Sequence, residues 1–116
     1  MSIKKLLNSF KYAFSGLKKV FKSEQNFQIH TILSLIVILF SIFILDFSII
    51  EMIIILFCIL IVLTTEIINT AIEYTWNHLE PNHHPVVKTV KDMMAGSVLL
   101  SSFFSVIIWI MLIINH

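Results

Sequence analysis

The chain has 116 residues, 58% hydrophobic and 13% charged, with a formal net charge of +1 and a mean hydropathy of +0.95. This length allows one domain, 1–116, and so short a chain cannot hide that much apolar surface in a water-soluble core. An ordinary soluble fold is therefore excluded, and the one cysteine, Cys58, lies in an apolar run where it offers neither a disulfide framework nor a zinc site.

In residues 1–25, Ile3, Leu6, Leu7, Phe10, Phe14, Leu17, Val20 and Phe21 recur at helical spacing with lysines between them. This pattern predicts an amphipathic surface helix, apolar face in the acyl chains and lysines toward anionic headgroups. The basic start has no compact apolar core followed by a small-residue cleavage site, so a cleaved signal peptide is not expected. Three long apolar stretches follow, at about 27–45, 49–77 and 88–114. Each is near or above the roughly 20 residues that a spanning helix needs. "LDFS" (Leu45 to Ser48) reads as the tight turn after the first, and "LEPNHHP" (Leu79 to Pro85) as the loop after the second. Six of the eight lysines precede the first span and two follow the loop. The positive-inside rule therefore expects the N-terminus and that loop in the cytoplasm of a multi-pass protein.

The second span begins as uncharged hydrocarbon-loving sequence, Met52 to Thr65, and then carries Glu66, Asn69 and Glu73. Their i, i+3, i+7 spacing makes one stripe on one helix face. Counted from Ile50, Glu66 lies about 24 Å along and Glu73 about 10 Å further, so the stripe runs from inside the hydrocarbon to headgroup level. Glu24, Lys88, Lys91 and Asp92, with His83 and His84 in the loop, reach the same plane. Intramembrane carboxylates are costly unless paired or hydrated, and a whole stripe of them points to function. As structural alternatives, Glu66 would hydrogen-bond across helices as a neutral acid, or Glu73 would pair with Lys91.

Carboxylates graded from lipid to water suit a reaction between a lipid alcohol and ATP. Desolvation makes a carboxylate a stronger base, so Glu66 could accept the proton of a lipid hydroxyl. Glu73 and Glu24 offer the hard oxygens that Mg2+ takes alongside phosphates, and Lys91 could offset charge on the transferring phosphoryl group. No GxxxxGK[ST], Gly-rich loop or HRD-like loop is present. A small ion-coupled transport or binding subunit would also place glutamates in a membrane. Against it, the carboxylates gather at one face of the membrane, and Met93 to Ile114 has no charge to continue a proton path. His30 and His78 read as interfacial residues, and the methionines as packing.

"SEQNFQIH" (Ser23 to His30), "EIINTAIE" (Glu66 to Glu73) and "HHPVVKTVKDMMAGSVLL" (His83 to Leu100) resemble the bacterial diacylglycerol kinase family, an integral membrane family unrelated to soluble kinases. The resemblance spans essentially the whole chain, and "NFQIH" and "HHP" are similar to the undecaprenol kinase branch. It implies an all-α homotrimer of surface helix plus three membrane helices, with active sites near the cytoplasmic face between subunits. It further implies Glu66 as catalytic base and Glu24 and Glu73 as magnesium ligands that also meet the nucleotide. Asn69 matches an active-site amide, Ser97 a position near the lipid, Lys91 and Asp92 a nucleotide-phosphate pair, Tyr12 a nucleotide-proximal tyrosine, and Asn82, His83 and His84 the loop near ATP. The implied partners are ATP, a lipid alcohol, the membrane and further copies of the chain, with no nucleic acid. Where the family usually has an aspartate four residues after Glu73, this chain has Asn77.

Overall fold

The computed structural model describes residues 2–80, 82 and 84–116. Its described residues form four α-helices and no strand: α1 (Ile3–Ser23), α2 (Gln25–Phe43), α3 (Ile49–Leu79) and α4 (Pro85–Ile114). The last three are long and apolar enough to cross a membrane. Helix bounds differ from the sequence reading by a few residues, and local chemistry explains the clearest case. α4 starts at Pro85 rather than near 88 because Pro suits the first helical position, where its missing N–H is no loss. The side chain of His84 caps that start by accepting from Val86 N–H at 3.2 Å.

α1 is capped by Ser2, whose hydroxyl accepts from Lys5 N–H at 3.1 Å, and none of its residues is buried. Glu24 ends it with an extended backbone (φ −112°, ψ 110°) and serves as the N-terminal flank of α2. The corner is held by Gln28 Nε2 donating to the Phe21 carbonyl at 2.7 Å and by an edge-to-face pair of Phe21 and Phe27. Lys19 lies over the Tyr74 ring, 5.6 Å from its centroid, which ties the second half of α1 to α3.

The α2–α3 turn uses Asp46 in the left-handed region (φ 53°), a conformation that short polar side chains tolerate. Phe47 is buried beneath it, with its N–H donating to the Ser41 carbonyl at 3.0 Å. Ser48 and Glu51 then form a reciprocal capping box that starts α3. With 31 residues, α3 is about 46 Å long and outruns a hydrocarbon core of about 30 Å.

The interior inverts the pattern of a soluble protein. Leu99, Phe103 and many other large apolar side chains face outward, while Ser41, Glu66 and Thr70 are buried. A lipid surround makes this stable, because outward apolar groups lose nothing there and polar groups need protein partners. α3 packs against both α2 and α4. Its seam with α4 is antiparallel and partly polar, with Thr65 and Ser101 hydroxyls 3.3 Å apart and Ser105 donating to the Cys58 carbonyl at 3.5 Å. α2 and α4 meet where Trp109 Nε1 donates to the fully buried Ser41 hydroxyl at 3.0 Å, with Phe40 edge-on to the indole.

Candidate active site

At the α1 end of the bundle the polar side chains fall into two clusters. The deeper one centres on Glu66, one residue past the Thr65–Ser101 contact and 3% exposed. Its Oε1 lies 3.5 Å from Nε2 of His30, which α2 presents across the α2–α3 seam. Glu73, two turns further along α3, and Glu24, at the α1–α2 corner, are both near enough to act on Glu66 electrostatically. Both are half-buried, and neither forms an ion pair among the described residues. Asn69 lies between the two α3 glutamates, and its buried Oδ1 finds no hydrogen-bond partner among the described residues. An unmet buried acceptor is costly, which singles this amide out within the stripe. Ser97 is half-buried on α4 and donates to the Met94 carbonyl at 2.6 Å; the antiparallel register sets it level with Asn69.

The second cluster surrounds a cavity of about 230 Å³ between the end of α3 and the start of α4, lined by Asn77, Asn82, His84, Lys88, Lys91 and Asp92. Lys91 donates to Asn77 Oδ1 at 2.5 Å, so the expected alternative of a Glu73–Lys91 pair is not what forms. Asp92 is instead held by Lys88 at 2.8 Å. Lys91 and Asp92, adjacent in sequence, thus engage different partners, as helix geometry requires of neighbours about 100° apart. His83 lies outside the described residues. Tyr12 stands exposed in the middle of α1 and lines neither cluster.

One participant, His30, and one pairing, Lys88 with Asp92, were missed in the sequence. The pairing was recoverable from its i, i+4 spacing. His30 carried a quieter signal: Phe27, His30, Ser34, Val37 and Ser41 repeat at three and four residues, so they share the inward face of α2.

No group of three or more His, Cys, Asp or Glu side chains is placed to hold a metal ion among the described residues. The available donors are the two carboxylates of Glu24 and Glu73. That set fits magnesium, which takes one or two carboxylates and completes its shell with water and substrate phosphates.

The sequence model of the prokaryotic diacylglycerol kinase family matches residues 11–113. The chain belongs to this family. The prokaryotic diacylglycerol kinases similar to it include one from Haemophilus influenzae, 31% identical over 90% of this chain and 87% of that protein. Another, from Escherichia coli, is 24% identical over 97% and 91%. An undecaprenol kinase from Bacillus subtilis is 34% identical over 95% of this chain and 89% of its own length. This member of the family is therefore a membrane lipid kinase, an ATP-dependent phosphotransferase.

Proposed function

We propose that the chain phosphorylates undecaprenol to undecaprenyl phosphate at the cytoplasmic face of a bacterial membrane, with its N-terminus on that side. The observation that carries the reading is a buried Glu66 backed by two shallower carboxylates, in a chain most similar among the relatives above to an undecaprenol kinase.

In this reading the lipid lies with its hydroxyl at the level of Glu66, Asn69 and Ser97. Glu66 takes the hydroxyl proton as the alcohol oxygen bonds to the γ-phosphorus, while the bond from that phosphorus to the bridging oxygen breaks and ADP leaves. Asn69 orients the reacting groups through its free carbonyl oxygen. Glu24 and Glu73 would hold magnesium, which when bound neutralises charge on the phosphates. Asn82, His83, His84, Lys91 and Asp92 bind the nucleotide, with Asp92 also paired to Lys88. Tyr12 meets the nucleotide from α1, which lies in the interface with its lysines on headgroups. The site is completed between subunits of a homotrimer, a reading supported by the unmet Asn69 oxygen and by the exposed Tyr12, which lines neither cluster.

The test is competition: undecaprenol and diacylglycerol at equal mole fraction in mixed micelles with labelled ATP. Undecaprenyl phosphate should dominate. An excess of phosphatidic acid would overturn the substrate while keeping the chemistry; it is the second reading because relatives at 31% and 24% identity are diacylglycerol kinases.

A further inference from the structure

Glu66 faces a problem that follows from its burial. A base that takes a proton from each substrate molecule must lose it before the next turnover, yet its side chain is only 5% exposed. Among the described residues one ionisable side chain is in contact with that carboxylate and is itself less enclosed. The Nε2 of His30 lies 3.5 Å from Glu66 Oε1, and the His30 side chain is 26% exposed. α3 contributes Glu73 and the α1–α2 corner Glu24 to the same neighbourhood, whereas α4 brings only hydroxyls, Ser97 and Ser101, to this level. The two further carboxylates are poor places to leave a proton if they carry magnesium. An imidazole is suited to the task because it can accept at one ring nitrogen and release at the other.

We infer that His30 is the residue that takes the lipid's proton on from Glu66. The relay begins with the ring proton on Nδ1 and the lone pair of Nε2 toward Glu66. After phosphoryl transfer the protonated Glu66 gives its proton to Nε2, which leaves a carboxylate beside an imidazolium. The imidazolium then releases the Nδ1 proton to water, and a flip or a second exchange restores the starting tautomer. The lipid's proton thus ends in solvent, and both side chains return unchanged. His30 acts through Glu66 and not on the substrate, so it is a positioning and relay residue. The inference rests on Glu66 being the base.

The surroundings make a chemical test available. His30 also lines a cavity of about 170 Å³ between the three long helices, together with Ser34, Cys58, Val62, Ser105 and Trp109. Truncating the ring in His30→Ala extends that space, and a cavity of this kind admits a small planar molecule. Steady-state kinetics would be run on His30→Ala and His30→Gln in the full chain, with and without added imidazole, beside Glu66→Gln. Both His30 variants should lose about 100-fold in kcat, the lower end of what positioned proton transfer contributes, with KM for ATP and lipid little changed. Added imidazole should restore His30→Ala in a saturable way and leave Glu66→Gln inactive. Glutamine keeps a hydrogen-bonding head but cannot carry a proton. A His30→Gln enzyme at the parent rate would therefore overturn the relay, as would a folded, ATP-binding His30→Ala enzyme that imidazole does not rescue. An active Glu66→Gln enzyme would instead remove the base itself, so the two failures are distinguishable.

Discussion

The two ends of the helical bundle treat polar groups in opposite ways. At the end remote from α1, Ser48 and Glu51 cap each other's backbone, and His116 Nδ1 lies 3.0 Å from Glu51. There Trp109 satisfies the buried Ser41 and Phe47 seals the turn. At the α1 end, Asn69 keeps an unmet buried oxygen, and Glu24 and Glu73 have no ion-pair partner among the described residues. The same chain can close its polar groups, so leaving them open is a property of the place. One end is closed by its own contacts, and the other keeps unmet polar groups beside its pairs.

The sharpest way to break this contrast is Glu66→Gln, which keeps shape and hydrogen bonding but removes the basic oxygen. Phosphorylation of the lipid should fall by about 10²- to 10⁴-fold, the usual worth of general base catalysis. More than a tenth of the rate remaining, in protein that still inserts and assembles, would mean that the deep carboxylate is structural. Next in size are Glu24→Gln and Glu73→Gln. Activity titrated against magnesium should show midpoints raised about 10-fold, the lower end of what disturbing a metal site costs. Curves that lose height at unchanged midpoints would take both residues off the metal.

Trp109→Phe probes the other end. It strands the buried Ser41 hydroxyl, which costs about 1 kcal/mol in a membrane bundle, with kcat unaltered. Thermal unfolding in detergent reads the first quantity and the lipid assay the second; a fall in kcat without a fall in stability would join the two ends functionally. The smallest effect is expected from Asn77→Asp. It restores the family's usual carboxylate and gives Lys91 a charged partner on the surface, which is worth less than about a 5-fold change in rate. A larger loss in folded protein would mean that Lys91 must be free to leave Asn77 during turnover.

These outcomes bear on what the sequence made legible. The spans and turns follow from composition and from punctuation such as "LDFS", because lipid imposes length and apolarity directly on the chain. The Glu66–Asn69–Glu73 stripe was visible because it lies on one helix, where spacing alone defines a face. Contacts between helices were not visible in the same way. Nothing in "QIHTIL" states that α2 turns His30 toward Glu66, since that depends on how α2 rotates against α3, and an isolated histidine near a membrane boundary reads first as interfacial. The pairing of Lys91 with Asn77 across fourteen residues is of the same kind. So is the left-handed Asp46, which a turn signal announces only as a turn.

α3 is one unbroken rod, and Glu66 and Glu73 are fixed on it about 10 Å apart whatever surrounds them. The lipid hydroxyl has no such tether; it floats at a depth set by the bilayer. The helix therefore works as a caliper, fixed at one jaw by the protein and read against the membrane at the other. Thickening or thinning the hydrocarbon, at a cost of fractions of a kcal/mol per Å, is expected to shift the alcohol along α3 by whatever the helix does not absorb in tilt. With Glu66 as the proposed base, acyl-chain length in the host membrane is then expected to change the rate with no residue substitution.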